Sequence, residues 1–238
     1  MWCVIIPTYN NAGTICQVVS DVQRYTRDII VVNDGCTDST ASLLSRMDVT
    51  VVDYGANRGK GYALKAGFRK AQELGFDYAI TIDADGQHFA SDIPCFVEAL
   101  SRHPGSLIVG SRNLSEENMP SANTFANKFS NFWFRLQTGI KLPDTQTGYR
   151  LYPLKKMGKL WWLTSRYEAE LEALVYAAWQ GISIVPIDVK VYYPPVGQRV
   201  SHFRPVYDFV RISLLNTLLC LLAVVYGYPS KFIRALYD

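Results

Sequence analysis

Two aspartates, Asp83 and Asp85, stand one residue apart where an apolar stretch ends, in the segment "ITIDADGQH" at 80–88. Gln87 follows after a glycine. In an extended backbone, the side chains at 83, 85 and 87 would project to the same side. Their oxygen atoms suit a hard divalent cation, Mg²⁺ or Mn²⁺, that bridges to phosphate groups. The same pair could instead be a phosphatase nucleophile with its acid, or an ordinary solvated acidic turn.

Polar residues also follow two other apolar stretches in the first half of the chain. The stretch at 4–6 is followed by "PTYNN", and the stretch at 29–32 by "NDGCTDST". Because the carboxyl ends of parallel strands meet at one edge of a sheet, we expect these segments to lie beside the aspartates. Between them, "GANRGKGYALKAG" supplies glycines for close backbone approach, and Arg58 and Lys60 supply positive charge near a helix start. Together these segments indicate a phosphate-bearing ligand and favour the metal site.

The elements that must position these residues alternate between strands and helices. Strands are predicted at 4–6, 29–32, 49–52, 78–82 and 107–109. Helices are predicted at 14–25, 61–74 and 91–100. Thr14 and Gln17 have the spacing of a capping box at the first helix. The alternation predicts an α/β fold with a Rossmann-like, mixed but mostly parallel sheet that helices flank.

The second half of the chain is less regular. Residues 113–128 are polar, and residues 129–136 are rich in aromatic side chains. A helix is predicted at 165–179. A strand pattern at 182–191 is interrupted by Pro186, which predicts an edge strand.

The C-terminal segment is apolar from 212 to 228, slightly short of the roughly 20 residues that a membrane span needs. Basic residues flank this run: Arg204, Arg211, Lys231 and Arg234. We therefore expect a helix that lies in or on a bilayer with anionic lipids. A buried helix, or one that forms a homo-oligomer, is the alternative.

Composition argues against several classes of protein. Of 238 residues, 49% are hydrophobic and 19% are charged, which indicates a folded domain. The net charge of +3 is too small to indicate nucleic-acid binding. Five dispersed cysteines without a CxxC pair indicate the reduced thiols of a cytosolic protein. The start "MWCVIIPTYN" lacks a basic region and a long apolar run, so secretion is not expected.

Two enzyme classes compete for the aspartates. "DADG" after an apolar stretch resembles the start of haloacid-dehalogenase-type phosphatases, in which Asp83 would be the nucleophile and Asp85 a general acid. Those enzymes carry the motif on their first strand, usually followed by Thr or Val, whereas three predicted strands precede it here and Gln87 follows. The interpretation as a dinucleotide-binding dehydrogenase has less support than the phosphatase interpretation, since no G-x-G-x-x-G follows the first strand.

Four ordered segments, "VIIPTYN", "IIVVNDGCTDST", "NRGKGYALKAG" and "DADGQH", resemble the motifs of family 2 inverting glycosyltransferases with the A-type nucleotide-sugar fold. The closer similarity is to the branch of dolichyl-phosphate mannose synthases and bacterial polyprenyl-phosphate glycosyltransferases, and "GSR" at 110–112 and "DTQTGYRLY" at 144–152 extend it. The resemblance implies a catalytic domain at 1–204 and an apolar C-terminal segment at 205–238. Within the domain, a nucleotide-sugar half would end near residue 112.

The resemblance implies a role for each matching position. Nucleotide-sugar contacts are expected from Pro7, Tyr9, Asn10, Asp34, Arg58, Lys60, Asp83 and Asp85. Contacts to Mg²⁺ or Mn²⁺ are expected from Asp83, Asp85 and Gln87, whereas His88 is interpreted as structural. Acceptor contacts are expected from Ser111, Arg112, Lys128, Gln146 and Thr147, with Gly148 needed for the turn. The residues expected to act in catalysis are Asp85, Arg112 and Asp144, and Arg199, Ser201 and His202 are further candidates near the diphosphate.

The expected reaction transfers a sugar from a UDP- or GDP-linked donor with inversion, at the cytoplasmic face of a membrane. A hydroxyl acceptor would need a general base, for which Asp144 is the first candidate, with Glu168 and Glu170 as others. A lipid phosphate is already ionised, and Arg112 would neutralise and orient it. Glu168 and Glu172, four residues apart, predict a solvated helix face. The apolar C-terminal helix favours a polyprenyl phosphate or other lipid-linked acceptor; a nucleotide-sugar-binding protein without turnover is the alternative.

Overall fold

Seven strands form the sheet: six lie where the sequence predicts strands, and the strand Arg150–Pro153 was not predicted. The computed structural model describes residues 1–112, 121–158, 163–193 and 205–237. The strands are β1 (Trp2–Thr8), β2 (Ile29–Asn33), β3 (Thr50–Asp53), β4 (Tyr78–Thr81), β5 (Leu107–Arg112), β6 (Arg150–Pro153) and β7 (Ile184–Val189). The helices are α1 (Ile15–Gln23), α2 (Thr40–Leu44), α3 (Lys60–Glu73), α4 (Ile93–Arg102), α5 (Ser121–Thr138), α6 (Leu154–Met157), α7 (Glu168–Trp179), α8 (Pro205–Leu222) and α9 (Tyr228–Tyr237). A π-helical segment, Ala223–Gly227, joins α8 to α9.

The strand order is β3-β2-β1-β4-β6-β5-β7, and every pairing is parallel except the two that β6 makes. The carboxyl ends of β1, β2 and β4 therefore meet at one edge of the sheet, as the sequence predicts. β6 runs the other way, so its first residue, Arg150, pairs with Thr81 at the end of β4. This reversal brings the segment that precedes β6 to the same edge. β7 stands at the end of the strand order and contains Pro186, so the predicted edge strand is confirmed.

Helices cover both faces of the sheet. Side chains of β1 alternate between the two faces, since Val4 and Ile6 belong to the core cluster under α1 and α4, whereas Ile5 belongs to the cluster under α3 and α7. A parallel sheet covered on both faces needs apolar side chains in both directions. The continuous apolar run of β2 therefore has a structural reason, and all five of its residues are buried.

Helix α1 begins where the sequence predicts, but the predicted capping box is wrong. Thr14 makes no side-chain hydrogen bond to the backbone of the helix. Its hydroxyl instead donates to the carbonyl of Ala84 at 2.6 Å. The side chain that could cap α1 thus fastens the loop between the two aspartates to the start of the helix.

The C-terminal helices pack along the core. Among the described residues, one helix is long and apolar enough to cross a membrane, by length and composition only: Phe209–Leu236, with mean hydropathy 2.0. Only 22% of its most apolar window is buried. Its inward side chains, Leu215, Leu219 and Ala223, belong to the same core cluster as residues of α3 and α7. The helix thus has one side on the protein and an apolar side that the protein leaves exposed.

Candidate active site

Asp34, directly after β2, organises the loop that leads into α3. Its carboxylate is 3% exposed and accepts four hydrogen bonds. The donors are the hydroxyl of Tyr54 (2.8 Å), the amide of Asn57 (3.1 Å) and the backbone N–H groups of Arg58 (2.7 Å) and Gly59 (2.9 Å). Because both oxygens are engaged, Asp34 fixes this loop before any ligand binds. Its expected contact with the base or ribose stays a prediction.

The loop after β1 is joined to the loop after β2. Asn10 has a left-handed backbone, with φ of 53°, which asparagine tolerates better than most residues. Its side-chain oxygen accepts the backbone N–H of Thr37 at 2.8 Å, and its own N–H lies 3.2 Å from the sulfur of Cys36. Pro7 is buried inside β1, opposite Val32. The pairing of β1 with β4 ends at Ile5, so Pro7 leaves no ladder hydrogen bond missing on that side.

Arg58 is exposed and is supported by two tyrosines. Its guanidinium carbon lies 4.8 Å from the ring centre of Tyr62, and Nη1 donates to the hydroxyl of Tyr62 at 2.8 Å. The ring centre of Tyr54 lies 5.8 Å away. The two tyrosines thus position the guanidinium of Arg58 near the edge of the sheet, where an anionic ligand would approach.

The backbone at the aspartates differs from the prediction. β4 ends at Thr81, residues 84–85 form a turn, and Gly86 has φ of 75°. The expectation that an extended backbone projects Asp83, Asp85 and Gln87 to one side is therefore wrong. The turn is closed instead by the Gln87 N–H, which donates to the carboxylate of Asp85 at 2.9 Å.

Asp83 forms a partly buried ionic cluster with Lys60 and Glu170. Lys60 Nζ lies 2.7 Å and 3.0 Å from the two oxygens of Asp83 and 3.1 Å from Glu170 Oε2. Burial alone would lower the pKa of Lys60, but the two carboxylates outweigh it and raise that pKa. Lys60 is the first residue of α3, where the helix dipole disfavours a cation. The two carboxylates offset this repulsion and keep the charge at the site.

Gly148 packs against this cluster. A Cβ atom at this position would lie 2.7 Å from Lys60 Nζ, 2.9 Å from Asp83 Oδ2 and 3.0 Å from Glu170 Oε1. Its φ is outside the left-handed region, so the turn itself does not require glycine. The predicted reason, turn geometry, is corrected: a larger residue here would displace the ends of three charged side chains.

The residues present fit a divalent cation. Asp83, Asp85 and Gln87 offer hard oxygen donors. Burial, together with the charge of Asp83, raises the pKa of Asp85 to about 6, and a cation bound beside it would favour the ionised carboxylate. Among the residues that the structure describes, no three His, Cys, Asp or Glu side chains are grouped as metal ligands. Two carboxylates would suffice for Mg²⁺ when phosphate oxygens and water complete its coordination, and the predicted contact from Gln87 stays a prediction.

Arg112 and Asp144, two of the residues predicted to act in catalysis, form a bidentate ion pair. Arg112 Nε and Nη2 donate to the two oxygens of Asp144 at 2.6 Å and 3.0 Å. Asp144 is fully buried and also accepts from Asn127 Nδ2 at 2.5 Å and from the N–H of Gln146 at 3.0 Å. Burial would raise the pKa of Asp144, but Arg112 and these donors lower it. A carboxylate held in this way is a poor proton acceptor, which disfavours its predicted role as general base.

The other predicted acceptor residues surround this pair to different degrees. Ser111 is buried in β5, and Thr147 is buried with its hydroxyl accepting the N–H of Tyr149. Gln146 and Lys128 are exposed. Arg199, Ser201 and His202 lie outside the described residues.

The predicted solvated face on α7 is wrong. Glu168 is 2% exposed and Glu172 is fully buried. Glu172 accepts the backbone N–H groups of Leu163 and Thr164 at 2.6 Å and 2.9 Å, and Glu168 pairs with Arg211 of α8. These partners are distant in sequence or lie before the helix, so spacing within the helix could not reveal them.

Arg150 supports the site, and the sequence did not predict this role. It is fully buried and donates to the carbonyls of Thr145 (2.9 Å), Thr147 (2.8 Å) and Glu170 (2.6 Å). It thereby ties the acceptor segment to the first turn of α7. The only sequence signal is an arginine directly after "TGY", where β6 begins.

A cleft of about 570 Å³ opens between α1 and the aspartate loop. Asn10, Thr14, Asp85 and Gln87 are among its lining residues, whereas Lys60 and Arg112 are not. His88 lines it too, and its ring centre lies 5.1 Å from that of Tyr149. Burial lowers the pKa of His88 to about 4, so the imidazole is neutral near pH 7. Its Nδ1 is buried without a hydrogen-bond partner among the described residues, so the structural interpretation of His88 stays a prediction.

Comparison with known proteins identifies the family. The sequence model of the family described as "Glycosyl transferase family 2" matches residues 3–161. The UDP-N-acetylglucosamine–dolichyl-phosphate N-acetylglucosaminyltransferase of Methanococcus voltae is 32% identical over 213 residues, 80% of this chain and 85% of that protein. The polyprenol monophosphomannose synthase of Mycolicibacterium smegmatis is 29% identical over 168 residues, 66% of this chain and 63% of that protein. These names support the predicted resemblance to the polyprenyl-phosphate branch.

Solved structures confirm the A-type fold. Glucosyl-3-phosphoglycerate synthase from Mycobacterium tuberculosis, in complex with Mn²⁺, UDP-glucose and phosphoglyceric acid, superimposes with a TM-score of 0.67 over 94% of this chain and 79% of that one. At 19% identity, this likeness shows the fold alone. The family match covers more than half of the chain, includes all four strand-end motifs and disfavours the phosphatase interpretation. This chain therefore belongs to glycosyl transferase family 2 and is a glycosyltransferase.

Proposed function

We propose that the protein is a metal-dependent, inverting glycosyltransferase that moves a sugar from a nucleoside diphosphate sugar to a lipid phosphate, such as polyprenyl phosphate, at a membrane surface. The observation that carries the proposal is the Arg112–Asp144 pair. Asp144 is locked in a way that disfavours proton abstraction, and an ionised phosphate acceptor needs none. The lipid-phosphate substrates in the names of the relatives point the same way.

On the donor side, the frame set by Asp34 would receive the nucleoside. The exposed cation of Arg58, and Lys60 behind it, would offset the charge of the diphosphate. Asp83, Asp85 and Gln87 would hold Mg²⁺ or Mn²⁺. The chemistry that such an ion supplies is stabilisation of the negative charge that develops on the leaving diphosphate.

On the acceptor side, Arg112 would orient the phosphate. Asp144 takes two of its N–H donors and fixes the plane of the guanidinium, and the hydroxyl of Tyr193 lies beside the same group. Attack by a phosphate oxygen from the face opposite the leaving group inverts the anomeric centre.

The apolar surface supports a bilayer location. α5 places Asn127 on Asp144, and the same helix exposes Phe132 (59%) and Leu136 (49%). Further exposed apolar side chains lie on the C-terminal helices: Leu214, Leu221, Val224, Val225, Phe232 and Leu236. A helix with one side on the protein and an apolar side outward is suited to lie on a membrane. All five cysteines are free, in keeping with the cytoplasmic face. A second copy of the chain is the alternative cover for this surface.

The test is a panel of UDP- and GDP-sugars with polyprenyl phosphate in detergent, with Mn²⁺ or with EDTA. We expect one donor to give a sugar–phosphate–lipid product of the opposite anomeric configuration by NMR, and EDTA to abolish its formation. Arg112→Lys should reduce transfer by at least about tenfold with unchanged nucleotide affinity, because lysine cannot make the bidentate contact. Nucleotide-sugar binding without any transfer would contradict the proposal, as would transfer that EDTA leaves unchanged.

A further inference from the structure

Glu170 has a buried carboxylate oxygen that no described residue contacts by a hydrogen bond. It is 6% exposed and lies in the first turn of α7, where the helix dipole favours an anion. Its Oε2 contacts Lys60, but its Oε1 is buried without a hydrogen-bond partner among the described residues. A buried unsatisfied carboxylate oxygen is costly and calls for an explanation.

Lys60 lies between two carboxylates with unequal tasks. It contacts both oxygens of Asp83, the aspartate that would hold the divalent cation. It also contacts one oxygen of Glu170, which is not a predicted metal ligand. A divalent cation binds carboxylate oxygens at about 2.0–2.6 Å. An ammonium and a metal ion cannot share the same two oxygens at these distances without strong repulsion. Metal binding at Asp83 would therefore favour a shift of Lys60 away from that residue.

Glu170 is the acceptor next to Lys60, after Asp83, among the residues that the structure describes. Gly148 closes the cluster from the side of the acceptor segment, since even a methyl group there would lie within 3.0 Å of all three charged groups. Glu170 already lies 3.1 Å from Nζ, and its second oxygen can take a further N–H. A lysine ammonium carries several donors on one atom and can shift between acceptors by a small rotation.

Resting on the metal-dependent function proposed above, we propose that Glu170 is a positioning residue for the metal site. Lys60 acts as a tethered cation that neutralises Asp83 until a divalent cation binds, and Glu170 is the acceptor that receives the displaced ammonium. Without Glu170, a metal ion at Asp83 would leave a buried ammonium unpaired. Glu170 thus acts on the metal through Lys60 and not by direct contact.

The test is a double-mutant cycle on Mn²⁺ affinity, measured by electron paramagnetic resonance of free Mn²⁺ with UDP in one series and GDP in another. We expect Glu170→Gln to weaken Mn²⁺ binding by about tenfold or more, as for other residues that support metal ligands. In a Lys60→Met background the same substitution should weaken it by less than about threefold, because no ammonium is left to be received. Lys60→Met alone should bind Mn²⁺ at least as tightly as the wild type.

Glu168→Gln is the matched control. It removes the same charge from the same turn of α7, but its partner is Arg211 and not Lys60, so Mn²⁺ affinity should be unchanged. Thermal melts of each variant identify any that fail to fold, and Glu170→Asp should restore part of the affinity. Equal losses from Glu170→Gln in both backgrounds would overturn the proposal, as would no loss in the wild-type background. Wild-type protein that binds no Mn²⁺ with either nucleotide would overturn the metal-dependent function as well.

Discussion

At the scale of single residues, the site is held by carboxylates whose partners are already in place. Asp34 is saturated by one loop, and Asp144 by an arginine, an asparagine and a backbone N–H. Charged groups that are fixed before a ligand arrives need little reorganisation when charge develops in a reaction. Lys60 differs from these fixed groups, because its ammonium lies between two acceptors, Asp83 and Glu170, and can shift from one to the other.

Asp144→Asn tests the stabilising role of the buried pair. We expect it to lower the free energy of unfolding by about 3 kcal/mol near neutral pH, since it leaves Arg112 without its charged partner. The folded pKa of Asp144 is lowered, so its contribution is present above the unfolded pKa of about 4 and is lost as pH falls through the folded value. Denaturant unfolding should therefore show a constant difference down to about pH 5 and a shrinking one below about pH 4. A difference that grows on acidification would contradict this assignment.

Gly148→Ala tests the close approach at the ionic cluster. The added methyl group would lie within 3.0 Å of Lys60, Asp83 and Glu170, so we expect Mn²⁺ affinity to fall by about tenfold or more, with a stability loss of about 1–3 kcal/mol. Isothermal titration calorimetry measures the first and denaturant unfolding the second. Gly67→Ala is the control, because its Cβ would meet Ile5 at 2.6 Å in the core. It should cost similar stability, yet leave the Mn²⁺ affinity of the folded protein unchanged; equal affinities for both variants would refute the local effect.

The residues of the nucleotide side could be predicted from sequence because their signals are local. Each is the polar end of an apolar strand, and parallel strands bring such ends together without further information. The burial of Glu168 could not be predicted in this way, since its partner Arg211 lies 43 residues away on another helix. Arg150 was missed for a related reason: its carbonyl partners converge only because β6 enters the sheet antiparallel. The strand alternation carries no signal for that reversal.

At the scale of elements, the first turn of α7 is where several parts of the molecule meet. Glu170 contacts Lys60 at the start of α3, Glu168 contacts Arg211 of α8, and Arg150 of β6 donates to the carbonyl of Glu170. One helical turn therefore links the nucleotide side, the acceptor side and the apolar C-terminal helices. A shift of this turn would therefore change contacts in α3, in β6 and in α8.

Arg211→Ala tests the attachment of α8 to α7. Glu168 is 2% exposed, so the substitution leaves a buried carboxylate without its cation, and we expect a loss of about 2 kcal/mol in the free energy of unfolding. Adding Glu168→Gln to the same chain should recover part of the loss, because the buried charge is then gone. Unfolding of the single variant and of the double variant measures the loss and its recovery. Strictly additive losses in the double variant would show that the two side chains do not interact.

At the scale of the whole molecule, the apolar surface predicts where the enzyme resides. Replacing Leu214, Leu221 and Val225 with glutamate should lower partitioning to anionic vesicles by at least about tenfold, since each substitution removes about 1.5–3 kcal/mol of apolar burial. Point substitutions are preferable to deletion of the helix, because Leu219 on its inner side is part of the core. Sedimentation with vesicles measures the effect.

The matched control for the vesicle experiment is Leu163→Glu. Leu163 is 61% exposed but lies outside α5 and the C-terminal helices, so partitioning should not change. If the triple variant still binds vesicles as the wild type does, while light scattering shows that a dimer has been lost, a second copy and not a bilayer covers this surface.

The position of β6 between β4 and β5 has a consequence for how the protein is made. A nascent chain that has reached residue 112 already carries all four nucleotide motifs, yet β5 has no partner, because β6 and β7 have still to leave the ribosome. Until residue 153 has emerged, the side of β4 that β6 will cover and both sides of β5 are open to wrong pairings. The nucleotide-sugar half that the resemblance implies would thus not be a complete folding unit, and a chain that stops between 112 and 153 would leave these strand edges unpaired.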